Sequence, residues 1–104
     1  MKTGRILYPA WLDLRNTPVL VVGAGRVALR RTTALLEAEA AVRVVSPRRL
    51  PEFKSWITSG KVEWINREFQ DSDVESARLA LACTNDPEVN RSVVRAARSH
   101  GVWV

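Results

Sequence analysis

Apolar residues along this chain come in two alternating patterns. Val19 to Val22 is an unbroken apolar run that stops at Gly23, as a short strand buried on both faces would read. From Gly25 to Ala38 the period becomes helical, and Val27, Ala34, Leu35 and Ala38 are expected to share the inner stripe. A second, β-branched run from Val42 to Val45 ends at Ser46-Pro47. Pro51 to Ser59 reads as a helix with proline in its first turn and Gly60 past its end. Val62 to Ile65, interrupted by Glu63, reads as a strand nearer an edge. A short acidic segment, Asp71 to Glu75, precedes another apolar run from Leu79 to Cys83. Asp86 then caps a helix that Pro87 opens, with Val89, Val93, Ala96 and Ala97 on its inner face and Gly101 at its end. Val102-Trp103-Val104 begins a further strand.

Alternation of strand and helix predicts an α/β fold: a Rossmann-type, doubly wound parallel sheet with right-handed crossovers, forming one three-layer domain over residues 1–104. The expected strand order is 3-2-1-4-5. Ligands of such sheets sit beyond the carboxyl ends of the strands where the order reverses. That places the crevice between the loop after Val22 and the loop after Cys83.

The first of these loops carries chemistry. Gly23-Ala24-Gly25-Arg26-Val27-Ala28 has the G-x-G-x-x-A spacing of a dinucleotide fingerprint. Gly23 permits the tight turn, Gly25 lets a pyrophosphate approach the backbone, and Ala28 lets the helix pack closely on the sheet. The helix start offers N–H groups and a positive dipole end to phosphate. The motif follows an apolar strand and opens a helix, which is the context it requires. The acidic residue that often follows strand two, for the ribose of NAD, is missing: Ser46-Pro47-Arg48-Arg49 stands there. Ser46 could bond the ribose. Arg48 and Arg49 read either as a solvated turn or as partners for the 2′-phosphate of NADP. Thr84 and Asn85, after the fourth strand, lie where a nicotinamide would sit, or serve simply as a strand-to-helix turn.

Composition narrows the classes. The chain has 104 residues, 46% hydrophobic and 26% charged, enough for one core. Its net charge of +5 is mostly arginine, but the arginines are scattered without interleaved aromatics, so no nucleic-acid surface is expected. No apolar run is long enough for a membrane span, and no apolar stretch follows the basic start from Met1 to Arg5, so neither a membrane nor a secretory role is expected. The single cysteine, Cys83, reads as a core residue and fits a cytoplasmic setting. The single histidine, His100, reads as a helix cap, and the two together cannot close a zinc site.

Three stretches also resemble a known family. Tyr8-Pro9-Ala10-Trp11-Leu12-Asp13-Leu14 resembles its Leu-Pro-x-Phe-x-x-Leu opening. Pro18 to Arg31 resembles its glycine loop and following helix start, and Ala82 to Asn90 resembles its "AATDDxxVN" stretch. The chain is similar to the N-terminal domain of siroheme synthases and to stand-alone precorrin-2 dehydrogenases with sirohydrochlorin ferrochelatase activity. The resemblance implies removal of a hydride from precorrin-2, a tetrapyrrole with eight carboxylates, with NAD as acceptor and NADP not excluded. In many members, ferrous iron insertion then gives siroheme. It implies backbone contacts to the cofactor from Arg26, Val27, Pro47 and Arg48, with Thr84 and Asn85 flanking the nicotinamide. The family's essential aspartate, in an Asn-x-x-Asp stretch, would fall beyond Val104, as would the segments that form its homodimer and cover the tetrapyrrole. No catalytic residue is therefore expected within residues 1–104. Glu39 stands where the family has glycine in a position that favours a left-handed backbone. The competing function is a nucleotide-sensing regulatory module without catalysis, but such modules usually carry the acidic residue after strand two.

Overall fold

Val19, Leu20, Val21 and Val22 are apolar on both sides of the pleat, so β1 (Pro18–Val22) can stand only in the middle of a sheet. In the computed structural model, which describes residues 5–104, it does. Residues 1–4, most of the basic start considered above, lie outside the described residues. β2 (Ala41–Val45) pairs parallel with one side of β1, in register from Pro18 with Ala41 to Val22 with Val45. β3 (Val62–Ile65) pairs parallel with β2 at the edge. β4 (Leu79–Ala82) pairs parallel with the other side of β1. The order is β3-β2-β1-β4. Trp103 forms an isolated parallel bridge to Leu79 on the free side of β4, where a fifth strand is expected.

Helices cover both faces. α1 (Arg26–Glu37) and α2 (Lys54–Thr58), the latter entered through a 3-10 turn at Pro51–Phe53, cover one side. Val19, Val21, Val42, Val44 and Val62 meet Ala28, Leu35 and Phe53 there. α3 (Pro87–Ser99) and the 3-10 turn Asp71–Val74 cover the other, where Leu20, Val22, Val45 and Ala80 meet Val74, Val93, Ala96 and Ala97. The expected inner face of α3 is therefore found, with Val89 packed at its margin. Asp86 caps α3 by accepting a hydrogen bond from the Glu88 amide at 2.9 Å. At the other end the His100 ring nitrogen Nδ1 lies 2.9 Å from the Ala96 carbonyl oxygen, as a cap would.

The inner stripe of α1 differs from expectation. Ala28, Thr32 and Leu35 are buried, while Val27 is 44% exposed and Ala34 and Ala38 face outward. The reason is local: residues three and four beyond Val27 are Arg30 and Arg31, so a stripe through Val27 would carry charge into the core. The helix turns Ala28 inward instead, where a small side chain allows close approach to β1. Glu39, just past α1, has φ of 62°, the left-handed backbone anticipated for it. The Ala40 amide donates to the Leu35 carbonyl oxygen and the Glu39 amide to that of Leu36, so the helix end imposes this conformation.

Between β3 and β4 the chain is held by one ion pair. Asp73 is buried, and Arg67 donates two hydrogen bonds to its carboxylate, at 2.6 and 2.9 Å. The Gln70 amide adds a third at 2.8 Å. Burial pushes the Asp73 carboxyl up, but Arg67, the Gln70 amide and nearby Arg43 outweigh it and hold it below the usual carboxylate range. Among the described residues no helix is long and apolar enough to cross a membrane.

Two outcomes follow. Glu39→Gly should stabilise the chain by about 1 kcal/mol, because a non-glycine residue is strained in the left-handed region. Thermal melting should register a rise of roughly 4–8 °C. Asp73→Asn should cost about 1–3 kcal/mol at neutral pH. Because folding lowers the Asp73 pKa, its contribution is present above the unfolded value of about 3.9 and is lost as pH falls through the folded one. Urea unfolding should therefore show the gap between wild type and Asp73→Asn closing below about pH 4.

Candidate functional site

β1 ends at Gly23, whose φ is +113°. A Cβ built there would lie 2.5 Å from the Cys83 carbonyl oxygen and 3.2 Å from the Thr84 amide nitrogen. The loops after β1 and β4 are thus in backbone contact, and only glycine fits between them. The Gly23 amide donates to the Val45 carbonyl oxygen at 3.0 Å, tying the same turn to β2. One residue on, the Ala24 carbonyl accepts from the Leu50 amide at 3.0 Å. Three loops at the carboxyl edge of the sheet are joined through two small residues.

Gly25 is the opposite case. It caps α1 with extended backbone, and among the described residues a Cβ there would meet nothing within 4 Å. Among the described residues no side chain caps this helix, and no acidic residue stands in its first turn. The start of a twelve-residue helix is left to offer its N–H groups to an anion. Arg26 is exposed, and its guanidinium lies 3.5 Å from Glu52 of the 3-10 turn after β2.

After β2, Ser46 is buried, and its hydroxyl donates to the Arg48 carbonyl oxygen at 2.6 Å. The hydroxyl hydrogen is committed to shaping the turn rather than aimed at a ligand. Pro47 and Arg48 are exposed on that turn. Arg49 stacks on Trp64 of β3. After β4, Thr84 is similarly engaged: its hydroxyl donates to Asn90 Oδ1 at 2.7 Å and accepts from the Asp86 amide at 3.1 Å. Asn90 also accepts from the Thr84 amide at 3.1 Å and donates to the Thr84 carbonyl oxygen at 3.0 Å. Asn85 is exposed at the tip. Burial pushes the Cys83 thiol up, against the weaker opposing pull of Arg31, so it behaves as the packing residue expected.

The structure therefore gathers Gly23, Gly25, Arg26 and Val27 after β1, Ser46, Pro47 and Arg48 after β2, and Thr84 and Asn85 after β4, along one edge of the sheet. Asn90, Glu52 and Trp64 also shape this edge, and the sequence pattern does not single them out for it. For Asn90 a signal exists: an amide side chain in the second turn of a capped helix can reach back to the loop before the cap.

A family model described as "Putative NAD(P)-binding" matches residues 10–104. The chain belongs to that family. Within it, this NAD(P)-binding chain is similar to the siroheme synthase of Actinobacillus pleuropneumoniae serotype 7 (strain AP76), 43% identical over 91 residues, covering 88% of this chain and 19% of that protein. It is 38% identical over 97 residues to the siroheme synthase of Chromobacterium violaceum, covering 93% of this chain and 21% of that protein. Among solved structures it matches SirC, precorrin-2 dehydrogenase, with a TM-score of 0.79 and 33% identity, covering 85% of this chain and 44% of that one. The resemblance carried by the three stretches is borne out. The chain spans about a fifth of the length of the curated relatives it matches.

The two glycines should separate on mutation. Gly23→Ala should destabilise the fold by more than about 2 kcal/mol, since both the backbone conformation and the Cys83 carbonyl oppose a methyl group. Gly25→Val should leave the melting temperature nearly unchanged and abolish cofactor binding. Equal binding by Gly25→Val and wild type in calorimetric titration would remove this loop from the site.

Proposed function

We propose that this chain is the cofactor-binding domain of a precorrin-2 dehydrogenase acting in siroheme biosynthesis. The observation that carries the proposal is the open backbone at Gly25 before an uncapped helix, in a chain that resembles SirC, precorrin-2 dehydrogenase. A dinucleotide fits these residues: among the described residues, space stands in front of Gly25, and the α1 start lacks both a capping side chain and an acidic residue that would repel phosphate.

When bound, the nicotinamide supplies the hydride acceptor. The chain's own residues do the rest. First-turn amides of Arg26 and Val27, reinforced by the α1 dipole, hold the pyrophosphate. The Ser46-Pro47-Arg48 turn meets the adenosine ribose. Because the Ser46 hydroxyl is spent on the Arg48 carbonyl, the backbone of this turn is what it presents. Thr84 and Asn85 border the nicotinamide, with Thr84 fixed by Asn90 so that its position does not depend on the ligand. The surplus of arginine favours the anionic cofactor and a polycarboxylate tetrapyrrole. Dehydrogenation, and the family's homodimer, are proposed for a protein in which this domain is joined to segments like those of its longer relatives. NAD is the favoured cofactor, by under about tenfold or ~1.4 kcal/mol over NADP.

Calorimetric titration of residues 1–104 should detect NAD at micromolar or weaker affinity, roughly −8 kcal/mol or less favourable. A protein of the relatives' length should form NADH from precorrin-2, and Gly25→Val should stop it. Failure of the domain to bind either cofactor would sink the proposal. Cofactor binding without hydride transfer in the longer protein would favour a nucleotide-sensing module.

A further inference from the structure

Arg30 and Arg31 are neighbours on α1, and both are exposed. The helix sends them in different directions. Its buried side is marked by Ala28, Thr32 and Leu35. One flank, at Thr33 and Leu36, borders a cleft shared with Trp56 of α2. α2 packs against β3, so the opposite flank of α1 faces β4, on the other side of β1. At about 3.6 residues per turn, Arg31 lies on that flank, roughly 60° round the helix from Ala28. Arg30 points almost straight out, at roughly 160°. Val27 precedes Arg31 by one turn on the same flank and is 44% exposed. Below them Leu81 and Cys83, at the end of β4, pack toward α1 and are only partly buried. Burial pushes the Cys83 thiol up and the charge of Arg31 draws it back, which agrees with a guanidinium beside the end of β4.

Among the described residues Arg31 has no acidic partner. The residues three and four away from it on α1 are Val27, Ala28, Ala34 and Leu35, so the helix supplies none. We infer that Arg31 binds substrate: its guanidinium receives a rim carboxylate of the tetrapyrrole, whose apolar body rests over Val27, Leu81 and Cys83. The inference rests on the proposed function. On that reading the first turn of α1 holds the pyrophosphate, and Arg31 lies about 7.5 Å further along the axis than Arg26. The nicotinamide end, beside Thr84 and Asn85, brings an amide and a cationic ring, and so offers a guanidinium no anion. The molecule that meets the nicotinamide is the hydride donor, and precorrin-2 carries carboxylates around its rim. Apolar neighbours strengthen a guanidinium–carboxylate pair by thinning the water around it. Arginine can also hold both carboxylate oxygens at once, which fixes the orientation of the rim as well as its position. A flat apolar ring with an anionic edge matches an apolar floor with one cation beside it.

Titration of uroporphyrin, a tetrapyrrole octacarboxylate, into the 104-residue chain at saturating NAD tests this, read by the porphyrin's own fluorescence anisotropy. Wild type, Arg31→Gln, Arg31→Lys and Arg30→Gln are compared at one salt concentration. Arg31→Gln should weaken uroporphyrin binding by about tenfold, the scale of one charge-assisted hydrogen bond. Arg31→Lys keeps the charge but loses the two-point grip, and should fall between the two. Arg30→Gln removes the same charge one residue away and should change the affinity by less than about twofold. All four proteins should bind NAD within about twofold of one another in calorimetric titration, because the pyrophosphate site lies a turn away. Equal losses in Arg30→Gln and Arg31→Gln would reveal a general charge effect and overturn the inference. So would an unchanged affinity in Arg31→Gln, or no saturable uroporphyrin binding by NAD-loaded wild type, and the cofactor site would stand in each case. Loss of NAD binding in Arg31→Gln would also overturn it, by giving the guanidinium to the cofactor. Failure of wild type to bind NAD would overturn the proposed function and this inference with it.

Discussion

The contact between Gly23 and the Cys83 carbonyl governs the geometry of this domain. β1 and β4 are neighbours, and both chains turn away at the same level of the sheet. One turn must pass directly against the other, and any side chain at Gly23 would hold them apart. That single close approach fixes where α1 begins, because Gly25 follows two residues later. It also sets how near α1 lies to β1, a spacing that Ala28, fully buried, is small enough to accept. The helix dipole, the free amides and the crevice between two loops all inherit their position from one backbone contact.

The side chains along this edge are used mainly to build turns. Ser46 bonds the carbonyl of Arg48, Thr84 bonds Asn90, Asp86 caps α3, and Trp64 bonds the carbonyl of Ser46. Each gives a partner to a polar group that the reversal of the chain takes out of regular secondary structure. On the proposed reading, a site built this way would recognise phosphate through backbone amides, which need no side chain of their own. Its turns are already held by their own hydrogen bonds. Few side chains remain free to tell one cofactor from another.

The fold is legible in the sequence because it rests on local rules. Continuous apolar runs mark the strands, Asp86-Pro87 marks the start of α3, and the glycine loop fixes the strand–turn–helix unit. The inner face of α1 is where pattern and structure part. Apolar periodicity favours Val27, yet burial follows what stands one turn further on, Arg30 and Arg31, and it is Ala28 that lies fully buried against β1. Glu39 shows the reverse: a backbone requirement set by the preceding helix follows from its position, and it holds even though glutamate does not suit it.

The site is legible where backbone carries it and obscure where pairs of side chains do. Gly23 and Gly25 announce themselves, since a residue without a side chain between a buried strand and a helix marks a tight turn or a close approach. Thr84 is visible as a polar residue at the switch point, but its partner Asn90 lies six residues on and a turn into α3, where only the folded loop brings the two together. Arg49 is further still from the residue it stacks on. In sequence it is one half of an Arg-Arg pair, equal to Arg48 in every local respect. Fifteen residues separate it from Trp64, and only the parallel pairing of β2 with β3 sets that indole beside the turn. Local pattern can therefore describe a basic turn after strand two, while the difference between its two arginines comes from the sheet register.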